Sequence, residues 1–425
     1  MTAEVVIMNK TAVAMAADSA VTIPTGKGQK IYNTAHKLFK LSRCQPVGIM
    51  IYGTAEFMGI PWESLIKIYK ESLDDKSFSK LKNYGDDFVK FLEHKKELFP
   101  KKEQIKAFRG SLAGFYSLIN SNVQKLVEAT IAKRGKIAPA EIKTILAKEI
   151  DKQYKELSKA KKLPSISTNY ESLIIKKHKK DISFCIKEVF EKLPISREDY
   201  AKLQKIAGSL FSRDRFPSGT SGIVVAGFGH KDTFPALISY EFHCVVDNKI
   251  RYRVKNDDII DFEMGGIIIP FAQSEVVVEF MEGIDNSYLR IVNGYLSALF
   301  SKYPDVLDRV LKKSGVNLRK KNAIRKEVNN INSGILKKLM DDINKYKNQT
   351  HVRPITRMVT SLPKEELAMM AESFVNLTSL KRKISDDQET VGGPIDVAII
   401  SKGDGFVWVK RKNYFKQDLN QGIQI

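Results

Sequence analysis

Short apolar runs open the chain and are separated by turn residues. Residues 5–8 and 13–17 flank a polar turn at 9–11, and a third apolar run at 47–52 ends at Gly53. Runs of about four to eight apolar residues between turn signals are typical of buried β-strands. The opening of the chain therefore predicts a β-hairpin, a further strand, and a glycine turn that leads into a helix.

Further strand-like runs occur in two later parts of the chain. Residues 222–229, which are rich in Gly and Val, and residues 235–240 predict a pair of strands, and residues 267–274 predict a strand that leads into a helix. Near the end, residues 392–400 and 403–407 predict a closing hairpin. Strands and helices in separate blocks are typical of an α+β fold.

The intervals between these strand blocks carry a helical pattern. They are rich in Lys and Glu, and their apolar residues recur three or four positions apart, as at Ile119, Val123 and Leu126. This spacing places the apolar residues on one face of a helix. The predicted segments, in chain order, are core residues 1–61, a basic helical insertion at 62–215, core residues 216–285, a second helical insertion at 286–386, and a closing hairpin and tail at 387–425.

The residue after the initiator methionine carries the candidate chemistry. Methionine before a small residue such as Thr2 is usually removed, and its removal leaves Thr2 with a free α-amine beside its own hydroxyl. One residue then holds both a nucleophile and a base. Because an α-amine has an ordinary pKa of about 7.7–8.0, its neutral form is available near physiological pH.

The residues that follow Thr2 resemble the opening of a proteasome β-subunit. In that family an N-terminal Thr starts a hairpin that ends in Asp, a Lys heads the next strand, and a Gly turn leads into the first long helix. Thr2, Asp18, Lys37 and Gly53 occur here in that order, and the spacing from Thr2 to Asp18 matches without a gap. Lys30 is a rival for the lysine position, but Lys37 is preferred because it leads into the strand that ends at Gly53.

The resemblance continues through the later strand blocks, in family order, over less than half of the chain. It implies the four-layer αββα sandwich of two antiparallel sheets of the N-terminal-nucleophile hydrolases, and a threonine-type peptidase activity. Thr2 is then the nucleophile, and Asp18 holds Lys37, whose ammonium lowers the pKa of the α-amine by like-charge repulsion. Gly53 offers its backbone N–H to the oxyanion, and Ser274 takes the place of the family's serine beside the terminal amine.

Two departures from the family pattern keep a second interpretation open. The family's Asp-x-x-Ser before the closing Gly-Gly aligns with Gln388 and Val391, so Asp387, one residue away, is the expected substitute. Ala20 stands where the family often has a basic residue. An inactive proteasome-like scaffold is therefore an alternative to the hydrolase, and acylase chemistry is an alternative to peptide cleavage.

Three of the candidate residues also have simpler explanations. Asp18 is compatible with a turn at a strand end. Lys37 is compatible with a solvated strand edge, and Ser274 with the N-cap of the helix that follows it.

The charge of the chain adds a third interpretation. Its 70 Lys and Arg residues against 49 Asp and Glu residues give a net charge of +21. Such an excess favours acidic partners, including nucleic acid, so a basic protein that binds nucleic acid through its helical insertions remains open. The family resemblance itself implies a peptide or protein substrate, and leaves open a homo-oligomeric ring and an ATPase unfoldase partner.

The remaining composition narrows the setting. Cys44, Cys185 and Cys244 have no metal-ligand spacing, and three cysteines imply no disulfide framework, as expected in a reducing cytosol. His230 and His243 flank a strand pair and are expected to be structural. No apolar run approaches the length of a membrane span. We therefore expect a cytoplasmic protein with no cofactor, no metal and no membrane partner.

Overall fold

The computed structural model of the chain describes residues 2–25, 28–167, 169–191, 193–217, 220–315, 317–386 and 391–413. The strands are, in chain order, β1 Glu4–Asn9, β2 Ala12–Ala17, β3 Val21–Thr25, β4 Gly28–Tyr32, β5 Leu38–Lys40, β6 Val47–Gly53, β7 Glu56–Phe57, β8 Ile60–Pro61, β9 Ser221–Gly227, β10 Ala236–Val246, β11 Lys249–Ile259, β12 Gly266–Phe271, β13 Asp396–Ser401 and β14 Gly405–Lys410. The α-helices are α1 Trp62–Leu73, α2 Leu81–His94, α3 Lys101–Arg134, α4 Pro139–Lys159, α5 Tyr170–Lys177, α6 Lys179–Phe190, α7 Arg197–Ser212, α8 Glu275–Glu282, α9 Asn286–Lys313, α10 Leu318–Tyr346, α11 Arg353–Ser361 and α12 Lys364–Ile384.

These elements form two compact units, each of which contains a five-stranded sheet and helices. The first unit comprises Met1–Leu38, Thr233–Pro235 and Ile259–Ile425, and the second comprises Phe39–Asp232 and Ala236–Asp258. Strands and helices occur in separate blocks, and the strand pairs of both sheets include antiparallel ones. The α+β class predicted from the sequence is confirmed.

The sheet of the first unit has the strand order β12-β1-β2-β13-β14. Strand β1 is antiparallel to both of its neighbours, and Val6 lies opposite Met15 on β2 and Ile269 on β12. Side chains alternate between the two faces of a strand. Val5 and Ile7 therefore belong to a core that α8, α11 and α12 cover, while Thr2, Glu4, Val6 and Met8 share the opposite face. That core contains, among others, Ala14, Val277, Val359, Phe374 and Val375.

The sheet of the second unit has the strand order β11-β10-β9-β6-β5. Its central strand β9 places Val225 opposite Ile49 on β6 and Ile238 on β10, all of them buried. Helices α1 and α2 pack their apolar side chains, including Trp62 and Phe88, against this sheet. Helices α3 to α7 form a further core, which includes Phe108, Leu112, Tyr116, Ile150, Ile174, Ile186, Leu203 and Phe211.

The helices lie where the amphipathic pattern occurs. Helices α1 to α7 run from Trp62 to Ser212, and α9 to α12 run from Asn286 to Ile384. The five-segment division of the chain stays a prediction, because the two compact units combine these stretches differently.

Three strand features have no counterpart in the sequence prediction. The short strands β7 and β8 pair with each other, with Phe57 opposite Ile60, between Gly53 and α1, where the sequence predicted a glycine turn leading directly into a helix. Strands β3 and β4 pair with each other, with Val21 opposite Tyr32, where the Gly and Lys residues favoured a loop. Strand β11 carries the sequence KIRYRVKNDDI, whose many charged residues hide the β pattern. Pairing with a neighbouring strand stabilises these elements, and the local sequence pattern does not show that pairing.

Gly222 on β9 lies against the ring of Tyr52, and a Cβ atom built there would be 2.0 Å from a ring carbon. We predict that Gly222→Ala destabilises the fold by about 1–3 kcal/mol, the usual cost of overpacking a core. The midpoint of denaturant unfolding measures this change. Gly114→Ala is the matched control, because a Cβ there meets nothing within 4 Å and alanine favours a helix interior. Equal stability of the two variants would contradict the prediction.

Candidate functional site

The β1–β2 hairpin brings the start of the chain beside Asp18. Glu4 pairs with Ala17 in the strand register, and one residue further the backbone N–H of Asp18 donates to the carbonyl of Ala3 at 3.1 Å. The N–H of Ala3 in turn donates to Asp18 Oδ1 at 3.1 Å. Thr2 and Asp18, which are distant in sequence, therefore lie at the same end of the sheet.

Lys37 extends its side chain to these residues. Its Nζ lies 2.5 Å from Asp18 Oδ1 and 3.5 Å from Glu4 Oε1, and the lysine side chain is only 3% exposed. The simpler explanation of Lys37 as a solvated strand-edge residue therefore does not hold. The structure brings together Thr2, Asp18 and Lys37, three of the residues that the resemblance selected, although their catalytic roles stay predictions.

Asp18 is fixed by backbone groups from three parts of the first unit. Besides the N–H of Ala3, its carboxylate accepts hydrogen bonds from the N–H groups of Ala20 at 3.3 Å and Gly392 at 3.0 Å. Gly392 precedes the strand β13, so the closing segment of the chain contributes directly to the site. With Lys37 as the fourth donor, both oxygens of Asp18 are occupied.

Glu4 is a site residue that sequence reasoning missed. Its side chain is fully buried, and Thr2 Oγ1 donates a hydrogen bond to Glu4 Oε2 at 3.0 Å. A signal was present in the sequence, because Thr2 and Glu4 are two residues apart and side chains two apart share one face of a strand. A carboxylate at the start of an apolar strand is also unusual for a buried position.

The environment of Glu4 changes its acidity. Burial raises the pKa of the Glu4 carboxyl from its ordinary value of 4.5 to about 8. Lys37 opposes the shift, Asp18 adds to it by like-charge repulsion, and the hydrogen bond from Thr2 opposes it. Glu4 therefore holds its proton at neutral pH and loses it in the mildly alkaline range.

Lys412, from the end of the described chain, adds a second, partly buried cation. Its Nζ donates to Ser19 Oγ at 2.6 Å and to the carbonyl of Ala35, and lies 3.1 Å from Asp396 Oδ2. Burial lowers the pKa of Lys412 below its ordinary value, and Asp396 opposes that shift. Sequence reasoning missed Lys412, because only the fold brings it next to the residue that follows Asp18.

Gly53 and Ser274 each lie at or just after the end of a strand. Gly53 ends β6 in the second unit with φ of +79°, and a Cβ there would lie 2.4 Å from the carbonyl oxygen of Thr220, so only glycine is tolerated. Ser274 precedes α8 at the N-cap position, but its side chain makes no capping hydrogen bond. Since Phe271 pairs with Glu4, Ser274 follows β12 at the sheet end that also holds Thr2.

The residues expected to orient the terminal amine are only partly described. Asp387 and Gln388 lie outside the described residues. Val391 is buried and belongs to the apolar core of the first unit, and Ala20 is also fully buried.

A serine–histidine pair in the second unit has a different character. Ser111 Oγ lies 3.0 Å from His243 Nε2, while Arg251 Nη1 lies 2.7 Å from His243 Nδ1. A guanidinium only donates hydrogen bonds, so Nδ1 accepts and Nε2 carries the proton toward Ser111. Burial, followed by the charge of Arg251, lowers the pKa of His243 to about 3. In this arrangement neither ring nitrogen of His243 is free to take a proton from Ser111, so the pair offers no general base for the serine.

Neither a metal site nor a membrane span is found among the described residues. Among those residues, His, Cys, Asp and Glu side chains form no group of three or more that could hold a metal ion. Within the same residues, no helix combines the length and the apolar character needed to cross a membrane.

A comparison of the sequence with models of known protein families and with curated proteins found no match. The functional assignment therefore depends on the geometry around Thr2.

Asp18 compensates the buried charge of Lys37. We predict that Asp18→Asn lowers the free energy of unfolding by about 3–5 kcal/mol, since removing one partner strands a buried charge. Glu141→Gln is the matched control: Glu141 pairs with Arg134 at 2.8 Å, but the side chains are 39% and 67% exposed. An exposed pair contributes at most about 1 kcal/mol. Chemical denaturation of both variants tests the difference, and equal losses would show that Asp18 compensates no buried charge.

The raised pKa of Glu4 makes stability depend on pH. In the unfolded chain the carboxyl ionises near 4.5, whereas in the folded chain it keeps its proton up to about pH 8. The unfolded state therefore binds fewer protons in this window, and the folded state loses stability as the pH rises. We predict that the melting temperature of Glu4→Gln minus that of the wild type increases as the pH is raised from 5 to 8. A difference that stays constant across this range would rule out the shift.

Proposed function

We propose that the chain is an N-terminal threonine hydrolase that resembles a proteasome β-subunit and cleaves amide bonds in peptides. The observation that carries the proposal is the buried Lys37 ammonium, 2.5 Å from Asp18, at the sheet end where the Thr2 hydroxyl also lies. In amine-assisted threonine chemistry the α-amine of the same residue activates the hydroxyl, and a nearby ammonium favours the neutral form of that amine.

The proposed reaction starts with the removal of Met1. Thr2 Oγ1 then attacks the carbonyl carbon of the substrate, and the acyl group is transferred to the threonine before water releases it. The positive charge of Lys37 favours the neutral, basic form of the α-amine and stabilises negative charge that develops at the hydroxyl. Asp18 holds Lys37 in place through the contact described above.

The finer fold that we propose is the four-layer αββα sandwich of the N-terminal-nucleophile hydrolases. In the first unit, residues of both sheet faces are buried: Val5 and Ile7 on the face covered by helices, and Val6 and Met8 on the other. In the second unit the central strand β9 is buried along its whole length. Sheets that are buried on both faces are expected in such a sandwich.

The inactive scaffold is the alternative that this proposal must exclude. Its support in the sequence is Ala20, Gln388 and Val391, which stand where the family has other groups. Lys412 places a cation next to Ser19, one residue before Ala20. We propose that this cation supplies the positive charge that a basic residue provides at the position of Ala20 in the family.

The proposal is tested with the purified protein and a small β-lactone that esterifies nucleophilic hydroxyls. We predict that intact and N-terminal peptide mass spectra show loss of Met1 and one adduct on Thr2, and that Thr2→Ala forms no adduct. Thr144→Ala, which removes an exposed hydroxyl on α4, is the control and should label like the wild type.

Two results would overturn the proposal. Retention of Met1 leaves Thr2 without a free amine and favours the scaffold. Labelling of Thr2→Ala at the wild-type rate places the nucleophile elsewhere. If the protein passes both tests, a peptide library can identify its substrates. Binding to nucleic acid that weakens steeply as the salt concentration rises would instead favour the alternative of a basic nucleic-acid-binding protein.

A further inference from the structure

The proposed hydrolase leaves the buried carboxyl group next to the Thr2 hydroxyl without a task. Building on that proposed function, we propose that Glu4 is a catalytic residue that accepts the hydroxyl proton of Thr2 during attack and delivers it to the leaving nitrogen. The α-amine of Thr2 is then not the base for the attack.

The geometry places Glu4 in direct contact with the nucleophile. The distance of 3.0 Å between Thr2 Oγ1 and Glu4 Oε2 lies within the range of about 2.6–3.2 Å that a general base needs. The threonine hydroxyl is the donor, so the proton already points at the group that would receive it. Because the two side chains share one face of β1, backbone geometry maintains the contact.

The second oxygen of Glu4 distinguishes it from a structural buried acid. Within the described residues, Glu4 Oε1 accepts no hydrogen bond, and it faces Lys37 Nζ at 3.5 Å. Buried polar atoms in folded proteins are nearly always hydrogen-bonded, so an exception needs an explanation. The Lys37 ammonium, which this oxygen faces, favours the ionised carboxyl, and the ionised carboxyl is the form that accepts a proton.

The neighbouring groups are poorer candidates for the same role. Both oxygens of Asp18 are occupied by backbone N–H groups and by the ammonium of Lys37. Lys37 is held between two carboxyl groups and is a donor while it is charged. Thr2 Oγ1 donates to Glu4, which leaves Glu4 as the acceptor in contact with the nucleophile.

The acidity of Glu4 suits proton transfer near neutrality. Burial raises its pKa to about 8, and a general base is most effective when its pKa lies near the working pH. A carboxylate with an ordinary pKa would be a far weaker base at this pH. The rate of acylation should therefore rise as the pH increases toward 8.

The reaction balances with Glu4 as the carrier of one proton. Thr2 Oγ1 bonds to the amide carbon, its proton passes to the Glu4 carboxylate, and the carbonyl electron pair moves to oxygen. The carbonyl then re-forms, the carbon–nitrogen bond breaks, and the Glu4 proton passes to the leaving amine. In the second half Glu4 takes a proton from water as the water attacks the ester, and returns it to Thr2 Oγ1 as the acid leaves.

The test compares the rate of Thr2 acylation by the β-lactone in the wild type, Glu4→Gln and Glu4→Asp, from pH 5.5 to 9.5. Gln keeps the shape and an acceptor oxygen but takes no proton, so we expect Glu4→Gln to acylate at least about 100-fold more slowly and to lose the rise toward pH 8. Glu4→Asp withdraws the carboxyl by one methylene, so it should be slower than the wild type but keep a pH-dependent rate. It also serves as the second variant if Glu4→Gln fails to fold.

The outcomes separate this inference from the function on which it rests. If Thr2→Ala labels like the wild type, the hydrolase proposal fails. If labelling requires Thr2 but Glu4→Gln keeps the wild-type rate and pH profile, Glu4 is structural, the α-amine remains the base, and only this inference is overturned. A wild-type rate in Glu4→Asp, measured where Glu4→Gln does not fold, overturns it as well.

Discussion

The buried ion pair between Lys37 and Asp18 is the constraint on which the site depends. Moving an ammonium out of water costs several kcal/mol, and only a close, fully hydrogen-bonded partner offsets that cost. Asp18 meets both conditions, with Lys37 at 2.5 Å and backbone donors from Ala3, Ala20 and Gly392. The start of the chain, the end of the first hairpin and the closing segment are thereby tied to a single carboxylate.

The same pair explains why Glu4 is unusual. The charge of Asp18 already balances the charge of Lys37. A second negative charge on Glu4, next to this pair, would therefore have no full counter-charge. Burial and the charge of Asp18 both raise the pKa of Glu4, and Lys37 recovers only part of the cost. The surroundings of Lys37 and Asp18 therefore place the pKa of Glu4 near neutral pH, where its carboxyl exchanges a proton easily. Thr2 Oγ1 is hydrogen-bonded to that carboxyl.

Part of this arrangement was predictable from the sequence. The strands β1, β2, β6 and β9 are apolar runs bounded by turns, and strand patterns predict such segments well. Thr2, Asp18 and Lys37 were selected by the resemblance to the proteasome β-subunit family. The hairpin register explains why the spacing from Thr2 to Asp18 is informative, because it brings the two residues to the same end of the sheet. Glu4 was missed although Thr2, its hydrogen-bond partner, lies two residues away on the same strand face, because its proximity to Lys37 exists only after folding. Lys412 was missed because its contact with Ser19 also exists only after folding. The β3–β4 pair and β11 were missed for the same reason.

The large helical insertion of the second unit separates β6 from β9 along the chain, although the two strands pair in the sheet. Strands β6 and β9 pair from Val47↔Gly227 to Gly53↔Ser221, although α1 to α7 lie between them. The entropy of closing a flexible loop rises only with the logarithm of its length, by about 0.6 kcal/mol for each doubling. Here the loop is not flexible, because α3 to α7 bury a core of their own that reaches β10 through Cys244 and Val246. The insertion therefore contributes stability of its own, and pairing of β6 with β9 needs little further ordering of the chain between them.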